Sequence, residues 1–405
     1  MNIFIINSGS SSIKYQLFKM PQESPVCSGL VERIGSGDAV VTHKTFINGE
    51  EKIINKNILA INHEEGLHEV ARLLTHKEMG VVQNPDEINV VGHRVVHGGE
   101  TFKATTIITQ EVKDKIEQLF SLAPLHNPAN FLGIAVAEKI FTKAKQVAVF
   151  DTAFHHSMPE KAFRYAIPEN FYTEHRIRAY GFHGTSHKYV SEQAAHYLGN
   201  KKAKIITIHL GNGCSITAVN AGKAVDTSMG FGPLSGLVMG SRSGDIDASV
   251  IFYLIEQLKY TPAEVSELLN KKSGMLGLTG MNDMRDIKKA ITEGDKHAAL
   301  ATELYAYRIK KYIGAYVAVL NGVDALVFTA GIGENSSDIR YRVCADMECF
   351  GINIDSKKNE NCLGVTSEIN TVGSLVKIMV IATNEEVEIA KQCFDLLSTG
   401  INIVP

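Results

Sequence analysis

The chain has 405 residues, of which 44% are hydrophobic and 21% are charged, with 34 Gly and 10 Pro. This composition excludes disordered, collagen-like and coiled-coil proteins, and the length is enough for one large or two ordinary domains. The 41 basic and 44 acidic residues give a formal charge of -3. Because such a chain has no strong overall field, neither nucleic acid nor a membrane surface is expected as a partner.

The cysteines and the hydropathy of the sequence indicate the cellular compartment. The six Cys residues are dispersed without a CxxC pair, which favours neither a disulfide scaffold nor a zinc ribbon. No apolar run approaches the length of a membrane span, and no basic region precedes the first apolar stretch. We therefore expect a cytoplasmic protein with reduced thiols.

Short apolar runs alternate along the chain with amphipathic segments. The runs predict strands at residues 3–6, 88–91, 147–150, 205–209, 325–329 and 376–382. The amphipathic segments predict helices at residues 111–122, 129–143, 187–198, 248–259, 262–270, 296–320 and 385–397. This alternation is typical of an α/β fold.

Two segments, residues 6–14 and 208–217, share one design: an apolar strand, a turn of small residues and a second strand. Any β-hairpin favours Gly and Asn in its turn, so either segment alone has a purely structural explanation. Their separation of about half the chain favours two related lobes. We place residues 1–150 and 384–405 in an N-terminal lobe and residues 151–383 in a second lobe for nucleotide binding and dimerisation.

Four Gly-rich stretches could present backbone N–H groups to a phosphate: residues 7–14, 209–213, 230–245 and 331–335. The last of them follows a predicted strand and precedes a predicted helix start at residues 335–337, which is the strongest context of the four. Neither GxxxxGK[ST] nor GxGxxG occurs, so P-loop NTPases and dinucleotide dehydrogenases are not favoured.

Two arginines lie in sequence segments that are otherwise apolar or rich in Gly and Ser. Arg94 occurs in GHRVVHGG and Arg242 in GSRSG, where a planar guanidinium could contact an oxyanion in bidentate fashion. A buried salt bridge is the structural alternative, for example between Arg242 and Asp245 or Asp247. Zinc and serine-hydrolase chemistry are not favoured, because HExxH and GxSxG are both missing.

The chain resembles the acetokinase family over essentially its whole length. The resemblance rests on nine motifs in this order: NSGSSSIK, GHRVVHGG, APLHNPAN, FDTAFH, YGFHGTSH, HLGNG, DTSMGFGPLSGLVMGSRSGDID, FTAGIGEN and TNEE. It implies two related lobes of the duplicated actin-like ATPase (ribonuclease H-like) fold, shared with hexokinase and Hsp70, with an active-site cleft between them.

The resemblance also implies the reaction, which is reversible in-line phosphoryl transfer from ATP to acetate, giving ADP and acetyl phosphate. Mg²⁺ is the implied metal, with Mn²⁺ as an alternative, and a homodimer is the implied assembly. Two other functions stay open. One is a kinase for propionate or another short-chain carboxylate. The other is an actin- or Hsp70-like ATPase that acts on a protein partner.

The family's site residues carry over to matching positions of this chain. The implied metal positions are Asn7 and Glu385. The implied catalytic residues are Asp151, His183, Arg242, Arg94 and His126. The implied acetate pocket consists of Arg94, Val96, Leu125, Phe182 and Pro233. The implied nucleotide contacts are Ser10, Ser12, Lys14, His209, Leu210, Gly211, Asn212, Gly213, Asp283, Met284, Arg285, Gly331, Ile332, Gly333, Glu334 and Asn335.

Two of these positions carry a further expectation. Acetate is already ionised at neutral pH, so Asp151 has no proton to abstract, and we hypothesise that it orients Mg²⁺ or Arg242 instead. Val96 is bulky and β-branched, whereas related propionate kinases tend to have a smaller residue there. Val96 therefore favours acetate.

Overall fold

The computed structural model describes residues 1–47, 49–362 and 366–398. The strands are β1 (Asn2–Ser8), β2 (Ser12–Lys19), β3 (Pro25–Glu32), β4 (Val40–Ile47), β5 (Glu50–Asn57), β6 (Val90–Val95), β7 (Thr106–Ile107), β8 (Lys145–Phe150), β9 (Lys204–Leu210), β10 (Cys214–Asn220), β11 (Lys223–Thr227), β12 (Ala325–Thr329), β13 (Ser367–Glu368) and β14 (Lys377–Val380).

The helices follow the same numbering. They are α1 (His63–Leu74), α2 (Gln110–Gln118), α3 (Asn127–Ile140), α4 (Glu160–Phe163), α5 (Asn170–Thr173), α6 (Gly184–Tyr197), α7 (Ala248–Glu256), α8 (Pro262–Lys271), α9 (Gly274–Thr279), α10 (Met284–Thr292), α11 (Lys296–Leu320), α12 (Ala330–Asn335), α13 (Ser337–Cys344), α14 (Ser356–Glu360) and α15 (Glu385–Ser398). No helix in the described ranges is both long and apolar enough to cross a membrane.

The chain folds as two compact units, each built on one mixed sheet. The first unit contains Met1–Phe154 and residues 384–398, and the second contains His155–Thr383, in the part of the chain that the structure describes. The strand orders are β5-β4-β3-β2-β1-β6-β8-β7 and β11-β10-β9-β12-β14-β13. In both sheets the first three strands form an antiparallel meander, which β4 and β5 extend in the first sheet. Two later strands add in parallel beside the first strand of each sheet. This common order confirms the repeat that the two hairpin segments predict.

Both hairpins have the predicted small-residue turn. In the first unit, β1 and β2 pair up to Ser8 opposite Ile13, and the Gly9 amide donates to the Ser12 carbonyl oxygen at 2.8 Å. In the second unit, β9 and β10 pair up to Leu210 opposite Cys214, across a turn one residue shorter. Each turn therefore lies at the end of the first strand of its sheet.

Helices cover both faces of each sheet, because successive side chains of a strand point to opposite sides. Phe4 and Ile6 of β1 pack in one core cluster with residues of α1 and α3. On the other face of that sheet, a Cβ atom added to Gly92 would lie 2.9 Å from Cys393 Sγ of α15, so this close approach requires glycine. In the second unit, Cys214 contacts Tyr305 of α11, whereas the next residue, Ser215, contacts α6.

The structure corrects three predicted elements. The strand predicted at residues 88–91 is β6, which continues to Val95 because β1 and β8 pair with it on either side. The strand predicted at residues 376–382 ends at Val380. The GIGEN stretch is not a loop before a helix, since it forms α12, whose first amide, Ala330 N, is bound by the Glu334 carboxylate at 2.8 Å.

Candidate active site

In the first unit, Arg94 on β6 forms a bidentate ion pair with Asp151, which directly follows β8. The Nε–Oδ1 and Nη2–Oδ2 distances are 3.1 and 2.6 Å. The neighbouring strands bring the two residues together, since the Asp151 amide donates to the Val95 carbonyl oxygen. Asp151 is buried, and such a paired geometry fixes the plane of the guanidinium.

Three further charged groups surround this pair. Glu385 and Glu386 begin α15, and the buried Glu386 carboxylate binds Lys14 Nζ at 2.8 Å. Burial raises the pKa of Glu385 to about 7, with added repulsion from Asp151 and Glu386, although Arg94 and Lys14 oppose the shift. Burial alone would lower the pKa of Arg94, but the charges of these carboxylates raise it above its ordinary value.

The first unit thus brings together several predicted site residues and adds one that the sequence did not predict. Asn7 joins the group, because its Oδ1 accepts a long hydrogen bond of 3.4 Å from Arg94 Nη1. Glu386 was missed, although it lies next to a predicted metal position in the TNEE motif. Ser10 lies in the nearby turn between β1 and β2, and Ser12 is the first residue of β2.

A buried amide holds the ends of two strands that carry site residues. Asn130 of α3 accepts from the Val96 amide at 3.1 Å and donates to the Ser8 carbonyl oxygen at 2.8 Å. Val96 is itself buried, whereas Leu125 is 58% exposed and His126 forms the N-terminal boundary of α3. Asn130 therefore fixes β1 relative to β6, a role that the APLHNPAN motif alone did not reveal.

In the second unit, Arg242 is half-buried and bound by neutral groups. Its Nη1 atom donates to the Pro233 carbonyl oxygen at 3.1 Å and lies 3.9 Å from Met239 Sδ. Within the described part of the chain no carboxylate pairs with it, and burial lowers its pKa. An arginine without a counter-ion is a ready partner for an oxyanion.

The predicted alternative of a salt bridge is therefore wrong for Arg242. Asp245 binds the Gly236 amide at 2.7 Å and the Tyr312 hydroxyl at 2.6 Å. Asp247 instead caps α7. Both carboxylates are engaged with other groups because they hold the loop and the helix that follow Pro233.

Two histidines lie beside the turn between β9 and β10. The rings of His183 and His209 stack with centroids 4.3 Å apart, and His183 precedes α6 with a left-handed φ of 57°. A Cβ atom added to Gly213 would lie 3.3 Å from His183 Cε1 and 3.8 Å from Arg242 Nη1. The Gly213 backbone therefore lies close to both the imidazole and the guanidinium. Phe182, which precedes His183, is buried.

A cavity of about 680 Å³ opens on the same turn. It brings together three of the predicted nucleotide segments, residues 209–213, 283–285 and 331–335. The lining residues are Gly211, Asn212, Asn282, Asp283, Met284, Arg285, Lys288, Gly331, Ile332, Asn335, Ser336 and Ser337. Its volume is that of a pocket for a molecule of nucleotide size.

Several predicted nucleotide residues support this cavity without lining it. Glu334 accepts from the amides of Ala330 and Thr383, so its carboxylate holds the local backbone. Gly333 and Leu210 are buried. The sequence missed Asn282, Lys288, Ser336 and Ser337, which lie next to predicted segments or one helical turn away.

No group of three or more His, Cys, Asp or Glu side chains among the described residues could hold a metal ion alone. The oxygen atoms of Asn7 and Glu385 nevertheless suit Mg²⁺, which commonly takes one or two protein ligands together with substrate phosphates. Burial is the main cause of the raised pKa of Glu385, and a divalent cation would offset the repulsion from Asp151 and Glu386 that adds to it.

Comparison with known proteins gives a consistent result along the whole chain. The sequence model of the acetokinase family matches residues 2–391. The acetate kinase of Flavobacterium johnsoniae is 58% identical over 397 residues, covering 98% of this chain and 100% of the relative. The crystal structure of Porphyromonas gingivalis acetate kinase matches with a TM-score of 0.91 and 45% identity, over 98% of this chain and 99% of that one.

A propionate kinase is also similar. The crystal structure of the Francisella tularensis enzyme matches with a TM-score of 0.90 and 43% identity, over 96% of this chain and 98% of that one.

Proposed function

The chain belongs to the acetokinase family, and we propose that its ATP-dependent acetate kinase activity uses Arg242 and His183 to stabilise the transferring phosphoryl group. The reaction is in-line phosphoryl transfer between ATP and acetate, giving ADP and acetyl phosphate. The observation that carries the proposed roles is the half-buried Arg242 guanidinium, which has no carboxylate partner among the described residues and lies beside a nucleotide-sized cavity.

ATP and ADP bind in the 680 Å³ cavity of the second unit in this proposal. The turn at Gly211 and Asn212 lines that cavity, and Gly213 of the same turn lies against His183 and Arg242. A phosphate chain that follows the turn therefore reaches a guanidinium and an imidazole. Phosphoryl transfer gains most of its acceleration from such positioning and charge neutralisation.

Acetate is bound by Arg94, and we assign Asp151 the role of orienting that arginine. Asp151 occupies the Nε and Nη2 atoms, which leaves Nη1 directed toward Asn7 as the donor for an incoming carboxylate. The sequence hypothesis, in which Asp151 orients Mg²⁺ or Arg242, did not include this role. A fixed guanidinium places the nucleophilic oxygen without any proton transfer.

Mg²⁺, or Mn²⁺ in its place, would be held by Asn7 and Glu385 in this proposal. When bound, the metal neutralises charge on the nucleotide phosphates. Lys14 and Glu386 form a neutral pair beside this position, so the metal would not have to compete with a free ammonium group.

The apolar acetate pocket is proposed to contain Val96, Leu125, Phe182 and Pro233, with His126 beside it. A pocket discriminates one methylene by only about 1–3 kcal/mol, so the wall residue decides between acetate and propionate. Val96 is buried, and its two methyl groups restrict the length of the acid. Val96→Ala is therefore expected to raise the relative kcat/KM for propionate, whereas Val91→Ala, a matched truncation within the preceding strand β6, is not.

A homodimer is proposed through the second unit. Helix α7 is almost entirely apolar, yet none of its residues is buried, and Val250, Phe252 and Tyr253 are 44%, 61% and 59% exposed. A second copy of this chain would cover that face. Light scattering tests this assembly: Phe252→Glu is expected to give monomers, whereas Tyr307→Glu, an exposed position on α11, is not.

We also place the protein in the cytoplasm.

The function is tested by ADP formation from Mg-ATP with acetate, propionate, butyrate or no acid, and with the product trapped as its hydroxamate. Acetate-dependent turnover with acetyl hydroxamate is expected. A preference for propionate would leave the mechanism standing and remove Val96 as the determinant of pocket size. Turnover independent of any acid would favour the ATPase that acts on a protein partner.

A further inference from the structure

A continuous chain of hydrogen bonds runs from His183 into the interior of the second unit. His183 Nδ1 lies 2.9 Å from Ser215 Oγ, and Ser215 Oγ lies 2.7 Å from His187 Nε2. His187 Nδ1 lies 2.7 Å from Thr207 Oγ1, which donates to the Thr217 carbonyl oxygen at 3.3 Å. All of these residues except His183 are fully buried.

The fold explains why these groups meet. Thr207 and Ser215 lie on the adjacent strands β9 and β10, with Thr207 opposite Thr217 in the register. Side chains at alternate positions share a face, so Ser215 and Thr217 both point toward α6. His187 lies one turn into α6 from His183, which places its ring between the two strands and the site.

The last group in the chain sets the direction of every bond. A carbonyl oxygen can only accept, so the Thr207 hydroxyl donates to Thr217 and accepts from His187 Nδ1–H. His187 is neutral, because burial and the nearby His155 and His209 rings lower its pKa well below 6.5. Its Nε2 atom therefore accepts from the Ser215 hydroxyl. Ser215 Oγ in turn accepts from His183 Nδ1–H.

We infer that Ser215 and His187 are positioning residues that hold His183 in the tautomer with its proton on Nδ1. Nε2 is then the nitrogen that binds a proton when His183 becomes charged, and it directs that N–H at the transferring phosphoryl group. The catalytic part of this inference rests on the proposed function of His183. The tautomer itself depends only on the buried chain.

The tautomer is measured in the intact protein by long-range ¹H–¹⁵N spectra of histidine labelled at both ring nitrogens. The His183 signals are assigned by their loss in His183→Asn. We expect Nδ1 of His183 to have the shift of a protonated nitrogen and Nε2 that of an unprotonated one at a pH where the ring is neutral. The opposite assignment, or an equal mixture of both tautomers, would overturn the inference. This measurement of the His183 tautomer does not depend on acetate kinase activity, so its outcome is separate from that of the proposed function.

The kinetic test uses Ser215→Ala, which removes the acceptor for Nδ1–H. We expect kcat to fall about 10- to 100-fold, with small changes in KM for ATP and acetate, because a hydrogen bond to a charged ring is lost. The His183 spectrum of the variant should show mixed tautomers. Ser215→Thr keeps the hydroxyl and should restore the wild-type spectrum, and with it most of kcat.

Thr227→Val is the matched control. It removes another buried hydroxyl from the same sheet, 2.8 Å from Thr217 Oγ1, but leaves the chain to His183 intact. Its kcat and its His183 signals should be those of the wild type. A Ser215→Ala variant with unchanged kcat, or a Thr227→Val variant with an equal loss, would contradict the positioning role.

Discussion

The two units differ in how the charged residues of their candidate sites are paired, although their sheets have the same core strand order. In the first unit, Arg94 is paired with Asp151 and Lys14 with Glu386. In the second unit, Arg242 is held by a carbonyl oxygen and a thioether sulfur. The same framework therefore supports one site whose cations are paired with carboxylates and another whose arginine, among the described residues, is not.

In the proposed mechanism, this difference separates substrate binding from transition-state stabilisation. Arg94 would hold the substrate carboxylate in a fixed orientation, and the Asp151 carboxylate on the other edge of the guanidinium would provide that orientation. Arg242 would meet charge that develops during transfer, and a permanent counter-ion would cancel its effect. Functional residues often sacrifice stability in this way, since a half-buried charge without a counter-ion is unfavourable.

Asp151→Asn is expected to have the largest effect on the paired side of the comparison. It removes the counter-ion of Arg94 and leaves a guanidinium without its bidentate partner, which costs about 3–5 kcal/mol for a buried pair. Urea denaturation should show this loss of stability, and KM for acetate should rise. Lys113→Met, which breaks a more exposed pair with Glu138, is the control and should have a much smaller effect. A stable Asp151→Asn variant with normal KM would show that the pairing is not needed.

Asp226 offers a second comparison, because this half-buried carboxylate of the second unit is paired with no cation among the described residues. Burial raises its pKa from 3.8 to about 6, against hydrogen bonds from the Thr227 amide and the Tyr316 hydroxyl. Between these values the folded chain binds more protons than the unfolded one, so stability falls as the pH rises and the loss is complete above about pH 6. The upper limit of this loss of stability is about 3 kcal/mol.

Asp226→Asn should remove this slope and make the protein more stable than the wild type at about pH 8. The measurement is urea denaturation of both proteins at about pH 5 and about pH 8. A variant with the wild-type slope would assign the pH dependence to another group.

Arg285→Gln should have the smallest effect. Arg285 lines the cavity proposed for the nucleotide but is exposed, and its bonds to Asp283 lower the pKa of that carboxyl to about 2. We expect KM for ATP to rise by less than about fivefold with kcat unchanged, because exposed ion pairs contribute little. Arg72→Gln, remote in the first unit, should leave both constants unchanged. A large fall in kcat would place Arg285 among the groups that meet developing charge.

Much of the fold could be predicted from local pattern. The long helix at residues 296–320 and the strand at residues 325–329 match α11 and β12, since both have strong apolar periodicity. Strands β3, β4 and β5 were not predicted, because they are antiparallel strands with many half-exposed polar residues, stabilised by their neighbours. Helix α1 was also missed, although Asn62 caps it.

The site could be predicted only in part. Residue type and context singled out Arg94 and Arg242, and the family resemblance supplied the roles of the other residues. Ser215 and Asn130 could not be found in this way, because their importance depends on strand register and on helix placement. The pairing of Asp151 with Arg94 could not be predicted either, because Arg94 lies on a neighbouring strand, 57 residues away in the sequence.

The most direct test of the contrast between the two units is Arg242→Gln. Acetate-dependent ADP formation from Mg-ATP and the free energy of unfolding are measured on the same preparation. We expect turnover to fall about 100- to 1000-fold, as for the loss of one group that stabilises developing charge. The free energy of unfolding should stay unchanged or rise. A variant that keeps its turnover, or loses stability as Asp151→Asn does, would contradict the assignment of Arg242 to the transferring phosphoryl group.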